Sequence, residues 1–218
     1  VVGVSKFCNY PEAVDKIPKV GGHTDPDLET IIALHPTLVV GVQSSQSEKM
    51  QATLTKADIK SLWLKVETVD DVLALPLALK KAIPETKGAD ALTKKMKSEL
   101  SPVDDIKERK QVLVVFGVAP MIVAGPGTYV SELIKRAGGE NIIQDGPAYP
   151  QLDNEKLLSL NPPVIIDVAF GEHAPFPNEL SAYKNKKIVK LENLDLMRPS
   201  PRIGEMFTFL KKTLEVKK

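Results

Sequence analysis

Aliphatic runs of strand length alternate with amphipathic, helix-period stretches along most of the chain. Leu38-Val39-Val40-Gly41-Val42 and the runs at 62–66, 112–116, 164–168 and 188–191 are short and rich in β-branched residues, as buried strands are. Val1-Val2-Gly3-Val4 reads the same way, so the sequence opens inside an element, with neither the charged nor the apolar region of a signal peptide before it. Helical periodicity predicts helices over 47–57, 70–83, 128–136, 154–160 and 203–214. Strands alternating with helices imply an α/β architecture with mainly parallel sheets.

An ungapped internal repeat implies that this architecture is built twice. Asp27-Leu28-Glu29-Thr30-Ile31-Ile32-Ala33-Leu34-His35-Pro36 matches Asp153-Asn154-Glu155-Lys156-Leu157-Leu158-Ser159-Leu160-Asn161-Pro162, and an aliphatic strand follows each copy. In both, an Asp is placed to cap orphan helix N–H groups, a Glu complements the positive helix end, and a proline stops the helix. The expected fold is therefore two Rossmann-like lobes. The polar stretch 85–110, with Leu92, Met96 and Leu100 as a narrow apolar stripe, predicts one long helix joining them. The expected domains are 1–84, 85–110 and 111–218. The second half carries a strand and helix before its repeat copy that the first half lacks. The first lobe is thus expected to be short of one strand–helix unit, either trimmed or small by nature.

Composition removes several function classes. Lys and Arg total 29 against 28 Asp and Glu, for a net charge of +1, which gives no basic field for nucleic acid. No apolar run approaches the roughly 20 residues of a membrane-spanning helix. The single cysteine, Cys8, excludes an intrachain disulfide and reads as a small packed hydrophobe. Gly125-Pro126-Gly127-Thr128 opens a helix but lacks the Lys-Ser/Thr ending of a phosphate loop, and no nucleophile elbow is present.

Ligands of parallel α/β sheets sit at the carboxyl ends of strands. That rule selects the segments 5–10, 43–45, 117–121 and 169–173, and with them Tyr10, Gln43, Met121, Phe170 and His173. His23 lies in a glycine-flanked loop before the first repeat helix, and His35 falls at the opposite edge as a helix-end residue. With Glu172 or Cys8, His23 and His173 have the chemistry of metal ligands but no tight ligand spacing; as pocket-lining loop residues they need none.

Several motifs in series resemble one family. Val2-Gly3-Val4-Ser5-Lys6-Phe7-Cys8-Asn9-Tyr10-Pro11 with 27–40 is similar to the first lobe of the helix-linked (class III) solute-binding proteins of cobalamin and ferric-siderophore ABC importers. Val123-Ala124-Gly125-Pro126-Gly127-Thr128, Ala137-Gly138-Gly139-Glu140-Asn141-Ile142, Tyr149-Pro150-Gln151-Leu152 and Arg198-Pro199-Ser200-Pro201-Arg202 resemble its second lobe, in order. The likeness covers nearly the whole chain and is strongest to the cobalamin-binding branch. It implies two lobes joined by a helix, with a large ligand clasped between them by Tyr10, His23, Tyr149 and their neighbours. Tyr149 and His23 fall where the cobalamin branch can carry tryptophan, which leaves another corrinoid or a metal chelate open. Arg198 is implied either to face a polar group of the ligand or to form a structural salt bridge.

Glu29 and Glu155 match the family's two docking carboxylates, which meet arginines on a permease dimer. The resemblance further implies a monomer that is periplasmic, or lipid-anchored and extracytoplasmic, with no signal segment in this sequence. Such a protein is no enzyme and has no cofactor of its own beyond cobalt or iron in the ligand. Two function classes remain: this receptor, or a metal-dependent α/β enzyme using His23 and His173.

Overall fold

Aliphatic runs become strands and amphipathic stretches become helices in a computed structural model that describes residues 1–22, 25–103 and 106–215. In chain order these are α1 (Leu28–Ala33), β1 (Leu38–Val42), α2 (Ser47–Lys56), β2 (Lys60–Leu64), α3 (Val69–Ala82), α4 (Ala89–Glu99), β3 (Lys110–Val118), β4 (Met121–Val123), α5 (Tyr129–Arg136), β5 (Gly139–Asn141), β6 (Gln151–Leu152), α6 (Asn154–Leu160), β7 (Val164–Asp167), α7 (Ser181–Lys184), β8 (Ile188–Lys190) and α8 (Ile203–Leu214). The chain divides into two compact units, Val1–Val66 and Glu67–Lys218. Among the described residues no helix is long and apolar enough to cross a membrane.

The two repeat copies fold alike. Asp27 Oδ1 accepts from Thr30 N at 3.0 Å and Asp153 Oδ1 from Lys156 N at 2.7 Å, so each caps its helix as the sequence predicts. At the other end His35 (φ 47°) and Asn161 (φ 44°) both turn left-handed immediately before a proline. Both are residue types that tolerate this region, and the turn ends each helix and releases the chain into β1 or β7.

In the first unit β1 and β2 pair in parallel, with Leu38 opposite Lys60 and Val42 opposite Leu64. Ile31, Leu54 and Ile59 form its small core, with Trp63 packed against them. The indole lies over Gly41, where an added Cβ would come within 2.4 Å of the ring, so only glycine fits. The strand expected at 1–4 does not form: Val4 makes one isolated bridge to Lys19, and Val1 and Val2 are exposed. An apolar run with no neighbouring strand has nowhere to complete a ladder. The first sheet has two strands and the second six.

The second unit holds a sheet of order β6-β4-β3-β7-β8, with β5 also on β3. Pairings of β3 with β5 and β7, and of β7 with β8, are parallel; those of β4 with β3 and β6 are antiparallel. The antiparallel extension was not expected from the sequence. The chain turns at Ala119-Pro120 and returns along β3. Side chains of β3 and β7 alternate between two cores. Val112, Val114, Val164 and Ile166 pack with α3, α4, α5 and α8, whereas Leu113, Val115 and Ile165 pack with Leu157, Phe176 and Leu180.

The expected linker and boundary are revised. Instead of one helix over most of 85–110, α4 spans Ala89–Glu99, preceded by Gly88 at φ 81°. Its apolar stripe is a packing face: Met96 and Leu100 are buried with Val69, Val72 and Leu73 of α3 in the second unit's core. That burial draws both helices into the second unit and moves the boundary from 84 to 66.

Phe207, on α8, is wholly buried in the larger core. Phe207→Ala is expected to cost about 3–5 kcal/mol, read as a lower urea midpoint with an unchanged slope by circular dichroism.

Candidate functional site

The carboxyl ends of β3 and β7 lie side by side and open onto a cleft of about 680 Å³ in the second unit. Phe116, Gly117 and Met121 come from β3 and the start of β4; Ala169, Phe170, His173 and Pro175–Pro177 come from the loop after β7. Apolar and polar surface line it in nearly equal shares, the polar part including Asn154, Glu172 and His173. Met121 is buried, whereas Phe170 is 83% exposed, an unusual cost for a phenylalanine unless something covers it.

Tyr149 stands beside this wall. Its ring meets Phe116 edge-on at 5.6 Å between centroids. The loop that carries it is tied to the sheet: Val123 N donates to Pro150 O at 3.1 Å and Gly125 N to Ala148 O at 2.8 Å. Gly125 is required there, because an added Cβ would lie 2.1 Å from Pro147 O. Asn141, buried, donates to Ala124 O at 3.0 Å, and Thr128 donates to Gly125 O at 3.0 Å, which fixes the loop from beneath. The Gly-Pro-Gly-Thr segment thus holds Tyr149 in place. Partial burial raises the Tyr149 phenol above its ordinary value, so it remains a neutral donor at physiological pH.

His173 is anchored at both nitrogens. Nδ1 lies 2.8 Å from Ala174 O and Nε2 lies 2.9 Å from Asp167 Oδ2. A carbonyl oxygen only accepts, and so does an ionised carboxylate, so this arrangement suits an imidazolium donating from both sides. The Ala174 carbonyl is the main cause that raises its pKa; Asp167 adds to it, and burial and Lys190 oppose it. The ring also meets Phe176 edge-on at 5.5 Å. Asp167 is 5% exposed and accepts in addition from Ala169 N at 3.0 Å.

Of the residues selected from the sequence, Met121, Phe170 and His173 line this cleft together, and Tyr149 contacts it through Phe116. Arg198 is not among the lining residues; its Nη2 pairs with Asp195 at 3.0 Å, with Arg202 near the same carboxylate. Tyr10 and Gln43 belong to the first unit. Tyr10 is 63% exposed ahead of the cis bond to Pro11, and Gln43 N donates to Leu64 O beyond the end of β1. His23 lies outside the described residues. Glu29 and Glu155 are both exposed in the first turns of α1 and α6. Among the described residues no group of three or more His, Cys, Asp or Glu is placed to hold a metal ion. Sequence reasoning missed Asp167, Phe116 and Phe176. For Asp167 the signal was present: an acid ends the aliphatic run Val164-Ile165-Ile166.

The periplasmic binding protein family model matches residues 1–193. The chain belongs to that family. The family is one of binding proteins, not of enzymes, so the metal-dependent enzyme reading is set aside. The vitamin B12-binding protein of Salmonella typhimurium (strain LT2) is 29% identical over 169 residues, covering 76% of this chain and 64% of that protein. The chain thus spans just under two thirds of that relative's length. The uncharacterized ABC transporter substrate-binding lipoprotein YvrC of Bacillus subtilis (strain 168) is 27% identical over 223 residues, covering 94% of this chain and 70% of that one. Among solved structures, the periplasmic heme-binding protein BhuT in complex with two hemes superposes with a TM-score of 0.85 at 23% identity, over 98% of this chain and 88% of that chain. That likeness establishes the two-lobed α/β fold.

A raised histidine pKa has a defined sign. Its stabilising contribution is complete below the unfolded value of about 6.5 and is lost as pH rises through the folded value. The difference in urea midpoint between wild type and His173→Gln is expected to shrink from about pH 6 to about pH 8, in paired unfolding curves.

Proposed function

We propose that this chain is the solute receptor of an ABC importer, outside the cytoplasmic membrane, and that it carries a corrinoid or a related metal chelate. The observation that carries the reading is the aromatic-edged cleft of mixed polarity at the carboxyl ends of β3 and β7, about 680 Å³ in volume. Sites for small molecules have volumes of about 300–1,000 Å³ and combine apolar walls with a few polar groups. Exposed Phe170 and half-exposed Tyr149 offer faces to a large planar ligand. Similarity to a vitamin B12-binding protein supports the corrinoid class, and similarity to an ABC transporter substrate-binding lipoprotein supports the importer and an extracytoplasmic, lipid-anchored or periplasmic location. In this reading Arg198 of the second lobe adds a ligand contact, and the protein acts as a monomer. Any cobalt or iron arrives within the ligand.

Glu29 and Glu155 are the proposed docking carboxylates for a permease dimer. Each occupies the first turn of a helix whose backbone is already capped by Asp27 or Asp153, so neither is needed for capping. Exposed carboxylates on repeat-related helices suit arginines on two related permease subunits.

Native mass spectrometry and calorimetry against cobalamin, cobinamide, hemin and ferric siderophores test the ligand class; binding of none of them refutes it. Tyr149→Ala is expected to weaken the bound corrinoid by about 1–3 kcal/mol, with the fold intact by circular dichroism. Glu29→Ala/Glu155→Ala is expected to leave solute affinity unchanged while transport by the cognate permease in vesicles falls at least several-fold, since a desolvated charge-assisted contact contributes about 1.5–3 kcal/mol. Wild-type transport by that double variant would remove the docking role.

A further inference from the structure

The loop after β7 supplies half of the cleft wall, and a buried carboxylate organises it. By the alternation of β7, Asp167 faces the same side as Ile165, toward Phe176 and Leu180 rather than toward α3 and α8. It is 5% exposed, in a strand whose other side chains are aliphatic. A carboxylate in such a place costs several kcal/mol unless its oxygens are satisfied. Both are: Oδ1 accepts from Ala169 N and Oδ2 from His173 Nε2. Those two contacts bracket Phe170, which lies between Ala169 and His173 and makes no such anchor of its own. His173 passes the constraint onward through Nδ1 to Ala174 O and through its ring edge to Phe176.

We propose that Asp167 is a positioning residue for the solute site: through Ala169 N and the His173 ring it fixes the loop 168–177, and so the direction in which Phe170 faces the ligand. The assignment rests on the reading of this cleft as the solute site. It also gives His173 a definite role. With both nitrogens held by protein oxygens, the ring is a strut of the wall and not a ligand of the solute's metal.

The charged groups facing His173 are few. Asp167 comes from β7; Lys190, at the end of β8, also reaches Gly171 O at 3.4 Å; Glu172 is exposed on the loop itself. Of these, only Asp167 holds the ring directly.

Asp167→Asn keeps the shape and removes the charge. The expected result is a fall in the His173 titration midpoint by NMR, since an ionised partner at hydrogen-bond distance is lost. Amide exchange across 169–176 should accelerate at least several-fold, while exchange in the β3–β7 ladder stays as in wild type. A folded Asp167→Asn protein with an unmoved His173 midpoint overturns the proposal. If that variant does not fold, His173→Gln decides instead, since unchanged exchange across 169–176 would show that the ring does not hold the loop. In a chain that binds cobalamin or hemin, Asp167→Asn should weaken that probe roughly as much as Phe170→Ala does. Failure of wild type to bind any of cobalamin, cobinamide, hemin and the ferric siderophores would refute the functional reading, while the NMR midpoint still tests the loop.

Discussion

Two parallel strands, β3 and β7, have both faces covered, and the rest of the second unit follows from that burial. Val112 to Val115 and Val164 to Ile166 alternate between two apolar cores, so neither strand can slip by one residue without moving every side chain to the wrong side. Their register, Val112 opposite Val164 and Val115 opposite Asp167, is therefore fixed. β7 stops at Asp167, opposite Val115, while β3 runs on to Val118 beside β4; beyond that point the two segments diverge, and the cleft forms between them.

That edge mixes apolar and polar surface, with one deeply placed carboxylate, Asp167. Asp167 ends a strand that is otherwise aliphatic, and its oxygens turn the chain instead of facing solvent. The Ala169 amide and the His173 ring satisfy them, and Phe170 is left outward with little protein around it. On the opposite wall a different device serves the same end. Gly125 lets the 147–150 loop approach the sheet more closely than any side chain would allow, which puts the Tyr149 ring against Phe116. Rigid supports thus lie beneath both exposed aromatic rings.

The repeat explains why one plan gives two unequal units. Its capping Asp, acidic first turn and left-handed residue before proline act within a few positions of each other, so each copy forms its helix and strand locally. What each copy packs against differs. β7 has neighbours on both edges, whereas β1 pairs with β2 alone. A buried strand needs partners on its edges and layers on its faces, and only the second unit supplies the full set.

Strand and helix positions, the two-lobe plan and the repeat's capping chemistry were legible in the sequence, because each depends on spacing or on contacts within a turn. So was the strand edge on which the cleft opens, which follows from strand direction, and with it the placing of Met121, Phe170 and His173 along that edge. The linker was not. Leu92, Met96 and Leu100 specify an apolar stripe but not what covers it, and burial against α3 decided that the stripe belongs to the second unit. The antiparallel β4 was hidden because a three-residue strand carries almost no periodic signal and takes its identity from pairing with β3. Asp167 was visible as an acid at the end of an aliphatic run, yet its bond to His173 depends on a loop folding back across the strand end. Sequence determined the elements because their causes are local; the tertiary structure decided the walls of the cleft because hydrogen bonds between distant segments place them.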